Sequence, residues 1–398
     1  MRIAFIAPQP FVDFRGTPIA NLRLVEILRD DGHRVDVFTF PLGIDPHCDG
    51  VRVLRCQKPP FVRSVGIGFS AAKILLDINL TLMAVKNIRS SRYDCIHGVE
   101  EGALIALLVS ALTGLPFVYD MDSVLSHEIS QSVLGKLPGA TRLVGALERL
   151  LVRKTSLVLT ISDSMAQYAK EIKDTVRVSV VPDIPLGFEN GTPDPERARS
   201  QIPFTGSKFI VYTGSLAGYQ GLDLLIAAMN RVSKQEPDAV LVIVGGDEKS
   251  IRRLSEQARS IGVVNKLVFL GKRQPEQVPD FLSAADVLVS PRRGGINPPG
   301  KIYTYMRAER PIVATDIPAH NTVLSDDSAI LVSPTPDGIA DGILKALADP
   351  DAAQKLATQA RRLVRDLNPE LLKHRVQEAY NLLVSEELPD SEPARKAA

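Results

Sequence analysis

The sequence predicts an α/β fold of two doubly wound parallel sheets, and three observations carry that expectation. Its 398 residues exceed one ordinary core and suggest two domains. Strand-length apolar runs alternate with amphipathic helical stretches, the pattern of helices packed on parallel sheets. The plan appears twice, with a segment rich in Gly, Pro and charge between the copies.

Taken in order, "RIAFIAP" reads as a strand, "IANLRLVEILRDDG" as a helix stopped at Gly32, and "HRVDVFTF" as the next strand. "GALIALLVSALTGLPFVY" is apolar but carries Thr113, Gly114 and Pro116, so it reads as a buried helix, a turn and a strand. The second copy runs "KFIVYTGS", "GLDLLIAAMNRVS" and "AVLVIVGG", followed by the strands "KLVFLG", "DVLVS" and "RPIVATDI". Each copy is expected to form a Rossmann-like sheet, over 1–186 and 208–368, with 187–207 as linker. The helix in 369–388 is expected to cross back toward the first domain, and 389–398 to be a disordered tail. Open sheets of this kind bind ligands beyond the carboxyl ends of their strands, so a cleft between two of them is the expected site.

Composition narrows the class. With 45% apolar and 23% charged residues, and 47 basic against 46 acidic, the chain has a net charge of +1. That balance argues against a dedicated nucleic-acid binder. Cys48, Cys56 and Cys95 follow no metal-ligand spacing, and the six histidines form no HExxH or HxH pair, so reduced thiols and no zinc are expected. The opening "MRIAFIAPQP" is too short an apolar run for a signal core.

Four loops where a strand hands over to a helix could carry chemistry. After the first strand, "PQPFVDFRGTPIAN" places Gly16 and Thr17 at a helix start, where amides favour an anion; a long capping loop explains it equally simply. "YTGSLAGYQGLD" spaces Gly214, Gly218 and Gly221 in a pattern that is neither GxGxxG nor a P-loop. "VIVGGDE" puts Gly245 and Gly246 after a buried strand. "SPRRGGINPPGK" offers Arg292, Arg293, Gly295, Asn297 and Lys301 before a helix. Arginine forks match phosphate geometry, and a solvated basic loop is the plainer alternative.

The order of "GTPI", "YDCIHGVEEGA", "LPFVYDMDS", "YTGSLAGYQGLDLLIAA", "VGGDE" and "PPGKIYTYMRAERPIVATDIP" resembles retaining glycosyltransferases of family 4, over roughly residues 1–385. The resemblance implies the GT-B fold, two Rossmann-like domains facing across a cleft. It also implies transfer of a sugar from a nucleotide-diphospho-sugar with retained anomeric configuration, no cofactor and no metal. A bacterial-type subgroup is indicated by departures from the family pattern. Where members carry an Arg and a Lys for the diphosphate, this chain has Ser215 and Gln220. Where many have a ribose-gripping Glu it has Thr304, and the usual sugar-contacting His falls on Asp122. A departing diphosphate left unpaired would be costly, so at least one of Arg292, Arg293 and Lys301 is expected to supply the missing charge. Ser215, Gln220 and backbone amides would then be neutral donors.

"YDMDS" brings Asp120 and Asp122 together as a D-x-D string. It is read as two catalytic-side carboxylates and not as a metal site, with a strand-end or helix-cap role for Asp122 left open. Glu100 and Glu101 are placed on the acceptor side, or else serve as helix-start carboxylates; His97 is read as packed. Residues 61–92 and 136–154 each hold five Lys or Arg against one acid, and Arg149, Arg153 and Lys154 share the polar face of one helix. Such surfaces suit an anionic membrane and a lipid-linked acceptor, with a solvated basic face as the alternative.

The combined expectation is a cytoplasmic enzyme, peripheral on the inner face of the membrane. It would move sugar, most simply from a UDP-sugar, to a glycolipid or polysaccharide, with no nucleic-acid partner. Alternatives are a GT-B epimerase or hydrolase, a degenerate sugar-nucleotide-binding scaffold, and, disfavoured by the missing GxGxxG, an oxidoreductase.

Overall fold

A computed structural model describes residues 1–11, 16–43, 49–60, 62, 71–130, 137, 139–188, 191–204 and 208–384. The chain divides into two compact units. One comprises Met1–Asp13, Thr17–Pro182 and the chain from Glu370 onward; the other is chiefly Asp183–Pro369.

The first unit holds strands β1 (Arg2–Ala7), β2 (Arg34–Thr39), β3 (Val51–Arg55), β4 (Cys95–Val99), β5 (Phe117–Met121), β6 (Leu157–Thr160) and β7 (Val178–Val180). They lie in the order β3-β2-β1-β4-β5-β6-β7, every described pairing parallel. β1, β4, β5 and β6 are buried nearly throughout, which is why they read as unbroken apolar runs and not as alternating ones. The second unit repeats the plan with β8 (Lys208–Thr213), β9 (Ala239–Val244), β10 (Leu267–Gly271), β11 (Val287–Ser290), β12 (Ile312–Thr315) and β13 (Ile330–Val332), ordered β10-β9-β8-β11-β12-β13. Apolar clusters on both faces of that sheet form its core.

Both sheets reverse their strand order at one place, between β1 and β4 and between β8 and β11. Connections leaving neighbouring strands there run to opposite faces and open a crevice at the carboxyl edge. The two-sheet fold expected from the sequence is therefore present. The 187–207 segment, of which 189–190 and 205–207 lie outside the described residues, carries a short helix, Pro195–Arg199. Its Ala198 is fully buried in the second unit's core. The expected tail, 389–398, also lies outside them. No helix among the described residues is long and apolar enough to cross a membrane.

The final helix, Pro369–Val384, belongs to the first unit. Val376 and Tyr380 complete the core formed by β1, β2 and the helix Gly16–Asp30. Tyr380 also reaches a fully buried polar group: its hydroxyl lies 2.7 Å from His97 Nδ1, while His97 Nε2 is 3.1 Å from Asp120 Oδ2. A carboxylate accepts, so Nε2 donates to Asp120 and Nδ1 accepts from the Tyr380 hydroxyl. Phe5 stacks on the imidazole at 4.3 Å. His97 is thus packed, as its sequence context suggested.

Truncating Tyr380 tests this anchoring. Tyr380→Ala is expected to destabilise the protein by about 3–5 kcal/mol through the cavity it leaves. Tyr380→Phe should cost about 1–3 kcal/mol by stranding the buried Nδ1. Urea unfolding followed by circular dichroism distinguishes the two; an unchanged midpoint for both would show that the helix does not support the sheet.

Candidate active site

In the second unit, β8 and β11 flank the reversal, and the loops that follow them are stitched together. Arg293 N–H donates to the Tyr219 carbonyl at 3.0 Å. Gly221 takes φ +73°, and a Cβ there would lie 1.9 Å from the Pro291 carbonyl oxygen, so only glycine lets the first loop pass beneath the second. Gly245, after β9, approaches equally closely: its Cβ would meet the Gly214 carbonyl at 2.1 Å. Three glycine-bearing loops named from the sequence therefore converge on one edge.

Lys301 opens the helix Lys301–Arg307 at this edge. Its ammonium donates to Gln220 Oε1 at 2.7 Å and lies 4.1 Å from the Tyr212 ring centroid. Tyr212 is itself fixed by donating its hydroxyl to the Ser215 carbonyl at 2.6 Å. Those partners are neutral. Burial, with a further push from the Arg292 charge, holds the Lys301 pKa well below its ordinary value. Arg292 is part-buried; its Nη1 donates to the Asn297 carbonyl at 3.1 Å, and its guanidinium lies 5.5 Å from the Tyr219 ring centroid. Gly295 leaves it room, because a Cβ there would stand 2.7 Å from Arg292 Nη2.

Arg293 faces a different environment. It is exposed and forms an ion pair with Asp223 at the start of the helix Leu222–Gln235. Thr304 is 4% exposed, with Oγ1 accepting from Leu186 N–H at 3.2 Å. Of the three cations singled out from sequence, Lys301 is held by Gln220 Oε1, Arg292 by the Asn297 carbonyl, and Arg293 by a carboxylate.

A buried network the sequence did not disclose supports the Arg292 loop. His320 is fully buried; Nδ1 lies 2.7 Å from the Thr315 carbonyl, and Nε2 lies 2.9 Å from Ser290 Oγ. Nδ1 must donate to the carbonyl, so Nε2 accepts from Ser290. Burial lowers the imidazole pKa most, the Thr315 hydrogen bond opposes it, and the Lys301 and Arg292 charges lower it further, to about 4. It is neutral at ordinary pH. Thr315 Oγ1 in turn donates to the Arg292 carbonyl at 2.5 Å. The strand ends thus fix the backbone that presents Arg292. "PAHN" is an ordinary helix start, and only a contact over 30 residues reveals its histidine.

At the first unit's reversal, Gly16 and Thr17 open the helix Gly16–Asp30, while the loop before it, 12–15, lies outside the described residues. Glu100, in the turn that follows β4, takes φ +49°, a backbone L residues rarely adopt. Its N–H donates to the Asp120 carbonyl at 2.8 Å. Glu101 pairs with Lys73, and near them burial, then the Glu101 charge, push the Asp77 carboxyl up to about 7. Asp120 is 7% exposed and gives Oδ2 to His97, whereas Asp122 is half-buried. Among the described residues no three His, Cys, Asp or Glu side chains gather as metal ligands.

Comparison with known proteins agrees with this architecture. The description "Glycosyl transferases group 1" matches residues 207–349, and "Glycosyl transferase 4-like domain" matches 15–183. A phosphatidyl-myo-inositol mannosyltransferase of Mycolicibacterium smegmatis is 27% identical over 87% of this chain and 84% of its own length. A 2-deoxystreptamine N-acetyl-D-glucosaminyltransferase of Streptomyces fradiae is 30% identical over 71% of this chain and 70% of its own. The crystal structure of HepE from Anabaena in complex with UDP-glucose superposes with TM-score 0.70 at 18% identity, over 96% of this chain and 99% of that one.

Two outcomes follow from the charge arrangement. Arg292→Ala and Lys301→Ala should each weaken nucleoside-diphosphate binding about tenfold or more, the scale of one charge-assisted hydrogen bond. Arg293→Ala should change it by less than about threefold, as an exposed pair contributes little. Calorimetric titration reads this directly, and equal losses for all three would contradict the assignment. The second outcome concerns pH. Lys301 is charged below its lowered pKa, and a bound diphosphate raises that pKa. Above the free-state value binding must take up a proton, so affinity should fall as pH rises through it. Lys301→Gln should remove that slope.

Proposed function

The chain belongs to the group 1 glycosyltransferases, and we propose that it moves a sugar from a nucleotide-diphospho-sugar, most simply UDP-linked, to a lipid-borne or glycan acceptor with retention of anomeric configuration. The observation that carries the reading is the buried Lys301 ammonium at the β8–β11 reversal, donating to Gln220 Oε1 beside the Tyr212 ring, with the part-buried Arg292 guanidinium anchored on the Asn297 carbonyl in the neighbouring loop. Two cationic side chains at one edge suit the diphosphate of a nucleotide-sugar, whose negative charge increases as it leaves. As the bond from the anomeric carbon to the β-phosphate oxygen breaks, negative charge grows on that oxygen, and Lys301 and Arg292 stabilise it. The acceptor oxygen bonds to the anomeric carbon and its proton passes to the departing β-phosphate oxygen, leaving glycoside and protonated nucleoside diphosphate. Two protein cations at the diphosphate support a metal-independent reaction.

The acceptor is assigned to the first unit's edge, where Glu100, Glu101, Asp120 and Asp122 gather near the ends of β4 and β5. A carboxylate there suits a hydroxyl-rich acceptor, by accepting its hydrogen bonds. The phosphatidyl-inositol and aminocyclitol transferases among the relatives support a polyhydroxylated ring as acceptor.

A thermal-shift screen of UDP-, GDP- and ADP-sugars, followed by product analysis with lipid extract in the presence of a chelator, tests the reading. Stabilisation by a UDP-sugar and an unchanged anomeric configuration in the product are expected. Binding without transfer to any acceptor, or turnover abolished by the chelator, would contradict it.

A further inference from the structure

One outer face of the first unit is apolar where the fold gives no reason for it. The crossovers from β3 to β4, β4 to β5 and β5 to β6 all step the same way along the sheet. Being right-handed, they place their helices on one face. Ala71–Ser90, Gly102–Thr113 and Ala140–Lys154 pack there side by side in that order.

Their outward positions are not those of solvated helices. Ile74, Ile78 and Leu82 recur every four residues along the first helix, and Leu82 is 65% exposed. The middle helix has no charged residue at all, and turns Leu108 and Leu112 outward while Ile105 and Val109 face the sheet. On the third, Leu143 is 63% exposed and Leu150 follows two turns later. Isolated exposed leucines are ordinary, but an exposed apolar row shared by three adjacent helices is not.

The charge around this row has one sign. Among the described residues of these helices the exposed charged side chains are Lys86, Arg89, Arg142, Arg149, Arg153 and Lys154. The two acids do not offset them. Glu148 is fully buried, accepting from Leu125 N–H and from the hydroxyls of Ser126 and Tyr168. Asp77 is half-buried on the same helix as Lys73, and its carboxyl is pushed up by that burial and by Glu101. An apolar row bordered by cations complements an anionic lipid surface: leucines enter the acyl boundary and the cations lie at headgroup level. A second copy docking through the same face would set those cations against themselves.

We propose that the outer face of the helices Ala71–Ser90, Gly102–Thr113 and Ala140–Lys154 is the surface by which this protein rests on an anionic membrane. The inference deepens the reading of a lipid-borne acceptor, but it is measured without donor or turnover, so the two fail separately. The exposed leucines place the contact on the apolar row, beyond the basic helix face of Arg149, Arg153 and Lys154 alone.

Flotation of the full chain with phosphatidylglycerol–phosphatidylcholine vesicles tests it, with pure phosphatidylcholine as control. Wild type should float with the anionic vesicles only, and less at raised salt. The triple variant Ile78→Glu, Leu108→Glu, Leu143→Glu should lose about tenfold or more of that binding, because three apolar anchors become charges of the membrane's own sign. Its thermal midpoint and nucleoside-diphosphate affinity should be unchanged. No flotation of the wild type, or flotation unaffected by the triple variant, would overturn the proposal. So would a concentration-dependent dimer in sedimentation that the same variant disperses, since the face would then be a contact between copies.

Discussion

An ammonium held among neutral partners beside a guanidinium is the constraint on which the second unit's edge depends. Lys301 has Gln220 and the Tyr212 ring as partners, and the charge that acts on it is Arg292. Burying an ammonium among neutral partners raises the free energy of the unliganded protein, which the rest of the fold must offset. The surroundings are built to tolerate it. Gly295 clears space for the guanidinium, His320 stays neutral, and Thr315 ties the Arg292 backbone to the sheet. On the proposed reading a bound diphosphate relieves that cost, which a solvated basic loop would not incur.

Much of this was legible in the sequence. Unbroken apolar runs gave away the parallel strands because strands covered on both faces have no polar side. The loop "SPRRGGINPPGK" stood out in the sequence because glycines and arginines before a helix suit an anion, with a solvated basic loop as the other reading. What the local pattern lacked was direction. Arg292 and Arg293 are neighbours in sequence, yet one acts on Lys301 while the other pairs with Asp223, 70 residues away. Gln220, read as a neutral substitute for a lost lysine, proves to be the partner of the lysine that lies 81 residues on. His97, Asp120 and Tyr380 formed no motif because their contact spans 283 residues. Side-chain choices of this kind are settled by tertiary packing.

The two units use the same architecture for opposite electrostatics. The second gathers cations at its strand reversal; the first gathers Glu100, Glu101 and Asp120, with Lys73 as a counter-charge. A strained backbone at Glu100 and a carboxyl at Asp77 pushed up to about 7 mark that edge as costly to build. The outer helices of the same unit carry the apolar row and its basic border. One sheet therefore presents an acidic edge and, on its outer helices, a basic, apolar face, without any change of fold.

Amine-selective acylation of the folded protein, mapped by mass spectrometry with and without UDP, tests the central claim most directly. A lysine with a lowered pKa carries more free amine at neutral pH, and one engaged by a diphosphate carries less. The account predicts that UDP protects Lys301 while the exposed Lys249 and Lys355 label as before. Equal labelling of Lys301 in both states, with UDP shown to be bound, would contradict it.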